Sequence, residues 1–148
     1  MSDRYIDFVN SPLGQMLAKN LGLPAPLALD RFDAAAPVVK GGVLVGAAAG
    51  SDLTAAITQV LANIKAEVLA AADSSVHGLA SAAGLATVAY TPNAEDRQKF
   101  KALVFDASGI RRSDDLIALH SFFSPVIRKL ANSARIIVIG RTPELCDD

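Results

Sequence analysis

The run Ala102-Leu103-Val104-Phe105-Asp106-Ala107-Ser108-Gly109 constrains the fold more than any other stretch of this chain. Consecutive apolar residues suit a strand covered on both faces, and the polar, glycine-closed turn marks its carboxyl end. A second unbroken run, Ile136-Ile137-Val138-Ile139, has the same character, so both are expected as central strands of a mainly parallel sheet. Between them Ser113 is expected to cap one helix, with Asp114 and Asp115 in its first turn and Arg128 and Lys129 in its last, matching the helix dipole. The apolar stripe of that helix would be Leu116, Leu119, Phe123, Ile127 and Leu130, with a bend at Pro125.

Upstream the alternation continues. Val43-Leu44-Val45 leads into the turn Gly46-Ala47-Ala48-Ala49-Gly50-Ser51-Asp52, and the segment 53–64 places Leu53, Ile57, Val60, Leu61 and Ile64 on one helical face. Val68-Leu69-Ala70 reads either as a strand or as an extension of that helix, and Ala86-Thr87-Val88-Ala89-Tyr90 as a short strand. The fold expected is α/β: a three-layer Rossmann-like or flavodoxin-like domain with about five strands, in order 3-2-1-4-5 or 2-1-3-4-5. It would occupy residues 42–148. Residues 1–41 read as a helical lead-in and connector packed on the domain, with Ser11-Pro12 starting a helix to Leu21 and Gly22 stopping it.

Composition narrows the function. A chain of 148 residues suits one core. Its net charge of −1 leaves no field to hold nucleic acid or an anionic membrane. The single Cys146 excludes an internal disulfide and a cysteine-built metal site, which fits a reducing compartment. No apolar run reaches membrane-spanning length, and a cytoplasmic protein is expected.

Candidate ligand-binding residues cluster at the carboxyl ends of the expected strands. Gly46 and Gly50 would let a dinucleotide pyrophosphate approach a helix N-terminus, but Asp52 stands where a third glycine belongs and is expected to cap its own helix. Asp73 is placed to accept ribose hydroxyls, and Asp106, Ser108 and Gly109 form a second turn at the same edge, read either as a ligand-binding turn or as a plain strand-end turn in which Gly109 takes unusual backbone angles. These are read as a vestigial cofactor site. Arg111-Arg112 reads as solvated surface, while His77 and His120 lack any nucleophile or carboxylate constellation and read as packing or surface residues. Phe122, beside Leu119 and Val126, widens the last helix's apolar face and marks an expected subunit interface. No catalytic or metal-ligating residue is assigned.

The segments 43–50 and 103–110 (Leu-Val-Phe-Asp-Ala-Ser-Gly-Ile), Leu119-His120-Ser121-Phe122-Phe123-Ser124-Pro125-Val126-Ile127-Arg128, and Arg135-Ile136-Ile137-Val138-Ile139-Gly140 with Thr142-Pro143-Glu144 resemble the short-chain dehydrogenase/reductase pattern. With Phe8-Val9-Asn10-Ser11 and Leu17-Ala18-Lys19-Asn20-Leu21-Gly22-Leu23-Pro24, the chain is similar to the N-terminal domain of high-molecular-weight 3-oxoacyl-[acyl-carrier-protein] reductases. That resemblance implies a longer parent whose C-terminal domain reduces 3-oxoacyl thioesters with NADH or NADPH in fatty-acid metabolism. It also implies a homodimer, and an acyl-carrier protein or acyl-CoA substrate. The N-terminal part itself is expected to bind no cofactor and to organise subunits or position substrate. Asp106-Ala107-Ser108-Gly109 stands where the active domains carry Asn-Asn-Ala-Gly. The Tyr-x-x-x-Lys pair has no counterpart, since Tyr5 is followed at that spacing by Val9 and Tyr90 by Ala94. The segment is accordingly read as truncated before its last helix and inactive alone, with an independent nucleotide- or flavin-binding module as the alternative.

Overall fold

The computed structural model describes residues 8, 9, 11–21, 30, 33–93 and 97–147. The chain divides into two compact units, Met1–Phe32 and Asp33–Asp148. In the first, helix α1 spans Pro12–Leu21. Ser11 starts it as its sequence predicts: the side-chain oxygen accepts from the Gly14 amide at 3.1 Å and donates to the Phe8 carbonyl at 2.6 Å. Gly14 is needed there because a Cβ would collide with that same carbonyl. The stop expected at Gly22 lies outside the described residues.

The second unit runs β1 (Val43–Ala47), α2 (Thr54–Asn63), β2 (Val68–Ala70), α3 (Val76–Ala82), β3 (Thr87–Ala89), β4 (Phe100–Asp106), α4 (Ile117–Phe123) and β5 (Leu130–Ile139). All pairings are parallel and the order is β3-β2-β1-β4-β5, the first of the two expected orders, in a Rossmann-like three-layer α/β fold. Val68-Leu69-Ala70 is a strand, separated from α2 by a turn in which Lys65 takes φ 54°.

Alternation along the strands builds two cores. Val43, Val45, Val68, Ala70, Ala102 and Val104 face α2 and α3 through Ile57, Leu61 and Val76. On the opposite face Leu44, Leu69, Phe100 and Leu103 meet Tyr90, Val126 and the half-buried Phe122 and Phe123.

Two expectations fail in the last third. The single helix over 113–130 is instead a 3-10 turn at Ser113–Leu116, then α4 ending at Phe123, then another 3-10 turn at Ile127–Lys129. Ser113 does not cap it. The Asp115 carboxylate accepts from the Arg111 and Arg112 amides at 3.2 and 3.1 Å, and Pro125, with no N–H to continue the helix, follows its end. β5 therefore begins at Leu130. It is also an edge strand rather than a central one, and Ile136, Ile137 and Val138 are between 41% and 49% exposed. An unbroken apolar run reports what a strand can bury, not what covers it.

Candidate functional site

The turns after β1 and β4 meet at the carboxyl edge of the sheet, where open α/β folds bind ligands. Asp106 closes β4 and is completely buried, so its carboxylate needs partners. It has three. Thr54 Oγ1, at the start of α2, donates to one oxygen at 2.7 Å; the Ser108 amide and hydroxyl donate to the other at 3.0 and 2.6 Å.

The backbones are laced together as well. The Ala48 amide and the Ser51 hydroxyl both donate to the Asp106 carbonyl, at 2.9 and 2.8 Å, and the Gly109 amide donates to Ser51 Oγ at 3.2 Å. A Cβ on Gly109 would stand 2.1 Å from the Ala49 carbonyl oxygen. Gly109 does not take the unusual backbone angles expected of it; the requirement is close approach between two chains. Gly50, in contrast, takes φ +73° in the β1 turn.

The mouth of α2 is occupied by the protein itself. The Asp52 amide, one of the groups that would receive a phosphate, donates to Ser108 Oγ at 3.0 Å. The Asp52 carboxylate does not cap α2, whose N-cap is Leu53 with no side-chain hydrogen bond. It instead meets Arg141 Nη2 at 2.5 Å, while Arg141 Nε donates to the Ser108 carbonyl. The hydrogen bond with Ser108, then the contact with Arg141, hold the Asp52 carboxyl below the ordinary carboxylate range. A pyrophosphate here would meet a fixed negative charge whose cation is already engaged, and one amide that is already bonded. The residues present do not fit a dinucleotide's phosphates.

Beside these turns lies a crevice of about 670 Å³. Leu44, Phe105, Tyr90, Leu79 and Val126 line it, and Gly46 lies beneath the Phe122 ring, which a Cβ there would approach within 2.5 Å. Of the candidate residues, Gly46, Gly50 and Asp73 border this crevice, Asp73 at the exposed rim. Asp106, Ser108 and Gly109 belong to the adjoining network.

Leu119, Phe122 and Val126, expected as a subunit interface, turn toward their own sheet: Phe122 stacks on Phe105 with centroids 4.9 Å apart, Leu119 packs on the same cluster, and Val126 is 1% exposed. The helix stops short, so the second apolar face falls over the sheet. His77 bridges Thr87 Oγ1 at 2.6 Å and the Ala71 carbonyl at 2.9 Å, a packing role, and His120 is exposed. Among the described residues no group of three His, Cys, Asp or Glu side chains is placed to hold a metal ion, and no helix is long and apolar enough to cross a membrane.

Sequence reasoning missed Ser51, Thr54 and Arg141. An aspartate at the end of a buried strand signals that hydrogen-bond partners are required, but not which ones. Comparison of the chain with family models and with curated proteins yields no match.

Proposed function

We propose that this chain is a catalytically silent dinucleotide-fold scaffold, the non-catalytic N-terminal domain of a 3-oxoacyl-[acyl-carrier-protein] reductase, serving to organise subunits or to position substrate. One observation carries the reading. The network Asp52, Arg141, Ser108, Asp106 and Thr54 fills with the protein's own groups the position at which a working dinucleotide fold receives phosphate. A network that satisfies itself contributes stability and has no need of a cofactor to complete it.

The absence of a tyrosine and lysine pair at the reductase spacing agrees with this, because a reductase needs a proton donor held beside the hydride acceptor. In the parent, NADH or NADPH and the thioester of an acyl-carrier protein or acyl-CoA would be handled by the C-terminal domain of a homodimer. Titration calorimetry of this chain with NADH, NADPH and flavin mononucleotide is expected to give no saturable heat. Saturable binding of any of them would overturn the reading in favour of an independent nucleotide- or flavin-binding module.

A further inference from the structure

Because every strand pairing is parallel, all strand starts share one edge of the sheet and all strand ends the other. Charge is divided between these edges. The carboxyl edge, with the closed turns and the crevice, carries Asp52, Asp73, Asp114, Asp115 and Asp147 against Arg111, Arg112 and an Arg141 already paired with Asp52. At the amino edge Lys40 precedes β1, Arg97 and Lys99 lead into β4, Lys101 is its second residue, and Arg128 and Lys129 lead into β5. Since β1, β4 and β5 are neighbours, these cations form one row.

Local contacts hold the row in place. Lys99 Nζ donates to the Arg128 carbonyl at 3.2 Å, Lys101 Nζ to that of Asn132 at 2.6 Å and Lys129 Nζ to that of Asn93 at 2.6 Å. A carbonyl positions an ammonium group without cancelling its charge. Of the acids, Glu67 precedes β2 at this edge, while Glu95 and Asp96 lie outside the described residues; the cations outnumber them even when all are counted here. The net charge of −1, which read as leaving no field for an anionic membrane, is a sum that conceals this separation. β4 is seven residues long, so the edges stand roughly 20 Å apart, more than twice the screening length of about 8 Å at physiological salt. The acidic edge therefore does not cancel the field of the basic one.

Aliphatic side chains flank the row: Val38, two residues before Lys40, is 70% exposed, and Ile127, beside Arg128, 39%. Cations with exposed aliphatic neighbours suit the phosphates and the acyl boundary of a bilayer. Nucleic acid calls for exposed aromatic faces or an element that enters a groove, whereas the nearby Tyr90 and Phe100 are buried. We propose that the amino edge of the sheet rests on an anionic phospholipid surface, with Lys99, Lys101, Arg128 and Lys129 at the phosphates, Val38 and Ile127 at the acyl boundary, and the crevice turned to solvent. The proposal goes beyond the scaffold reading and does not depend on it.

Vesicle flotation tests it. The full chain is expected to float with vesicles of phosphatidylcholine and phosphatidylglycerol, to stay behind with phosphatidylcholine alone, and to lose binding as salt rises. Lys99→Gln and Arg128→Gln, both at exposed side chains, are each expected to weaken binding about fivefold. Arg111→Gln, which removes the same charge at the opposite edge, is expected to leave it unchanged, and Val38→Ser to weaken it without altering its salt dependence. Circular dichroism and thermal melting would establish that the variants fold. No binding to the anionic vesicles would overturn the proposal, as would a loss in Arg111→Gln equal to that in Arg128→Gln. Duplex DNA held more tightly than the vesicles at the same salt would overturn it in favour of a nucleic-acid surface.

Discussion

Gly109 and Gly46 each face a neighbour that leaves no room for a methyl group, yet the neighbours differ in their capacity to yield. At Gly109 the obstacles are the Ala49 carbonyl and the Ser51 amide, both backbone and both tied into the junction of two turns. At Gly46 it is the Phe122 ring, the far end of a side chain that is only half-buried. Gly109→Ala is therefore expected to destabilise by about 1–3 kcal/mol and Gly46→Ala by less, as read from urea unfolding midpoints. The reverse ranking would contradict the close-approach account. Asp52 adds a pH dependence. Its carboxyl pKa is lowered on folding by Ser108 and then Arg141, so its contribution is complete above the ordinary carboxylate range and is lost as pH falls through the lowered value. The stability difference between the wild type and Asp52→Asn should stay flat near neutral pH and shrink in acid. A difference unchanged into acid would show that Asp52 acts there through something other than its charge.

At the scale of elements, α2 and α3 end in the same hydrogen-bonded motif with different residues at its critical position. After α3 the amides of Gly84 and Leu85 return to the Ser81 and Ala80 carbonyls, with Gly84 at φ +72°. After α2 the amides of Lys65 and Ala66 return to Ala62 and Leu61, but the left-handed position holds Lys65 at φ 54°. A lysine there bears a Cβ penalty that glycine avoids, partly offset by glycine's greater freedom when unfolded. Lys65→Gly is thus expected to stabilise by roughly 0.5–1 kcal/mol in equilibrium unfolding. A loss of stability would mean that the lysine side chain contributes more than the strain it carries. Strands β1 and β4 were legible because apolar runs bounded by turn residues admit few other readings, whereas three residues at Val68–Ala70 fit a strand and a helix extension equally until the turn at Lys65 separates them. The end of α4 was not, because Leu116, Ile127 and Leu130 keep helical spacing across Pro125 while the structure uses that stretch for two 3-10 turns and the start of β5.

Over the whole molecule, the sheet finishes on an edge strand with no proline, where Ile136, Ile137 and Val138 are exposed and Arg135 is the one charge to discourage pairing with another strand. Concentration-dependent self-association is expected in sedimentation of this chain. Ile137→Lys, at a position 41% exposed, should suppress it with a stability change within about 0.5 kcal/mol. A wild type that stays monomeric at high concentration would remove the expectation. This is a different surface from Leu119, Phe122 and Val126, where a charge would enter the packing of α4 on its sheet.

By itself the sequence determined the layered α/β class, the parallel strands, the helix begun by Ser11 and Pro12, and the placement of candidate polar residues at one sheet edge. Those features follow from local periodicity and from residue-specific backbone preferences, which act over a few positions. Only the tertiary structure decided the choice between two strand orders, the edge position of β5, the inward turn of Phe122, and the closure of the α2 mouth by Ser108 and Arg141. Each depends on groups remote in sequence being brought together. Asp106 is 52 residues from Thr54 and Asp52 is 89 from Arg141, separations over which no local pattern carries information.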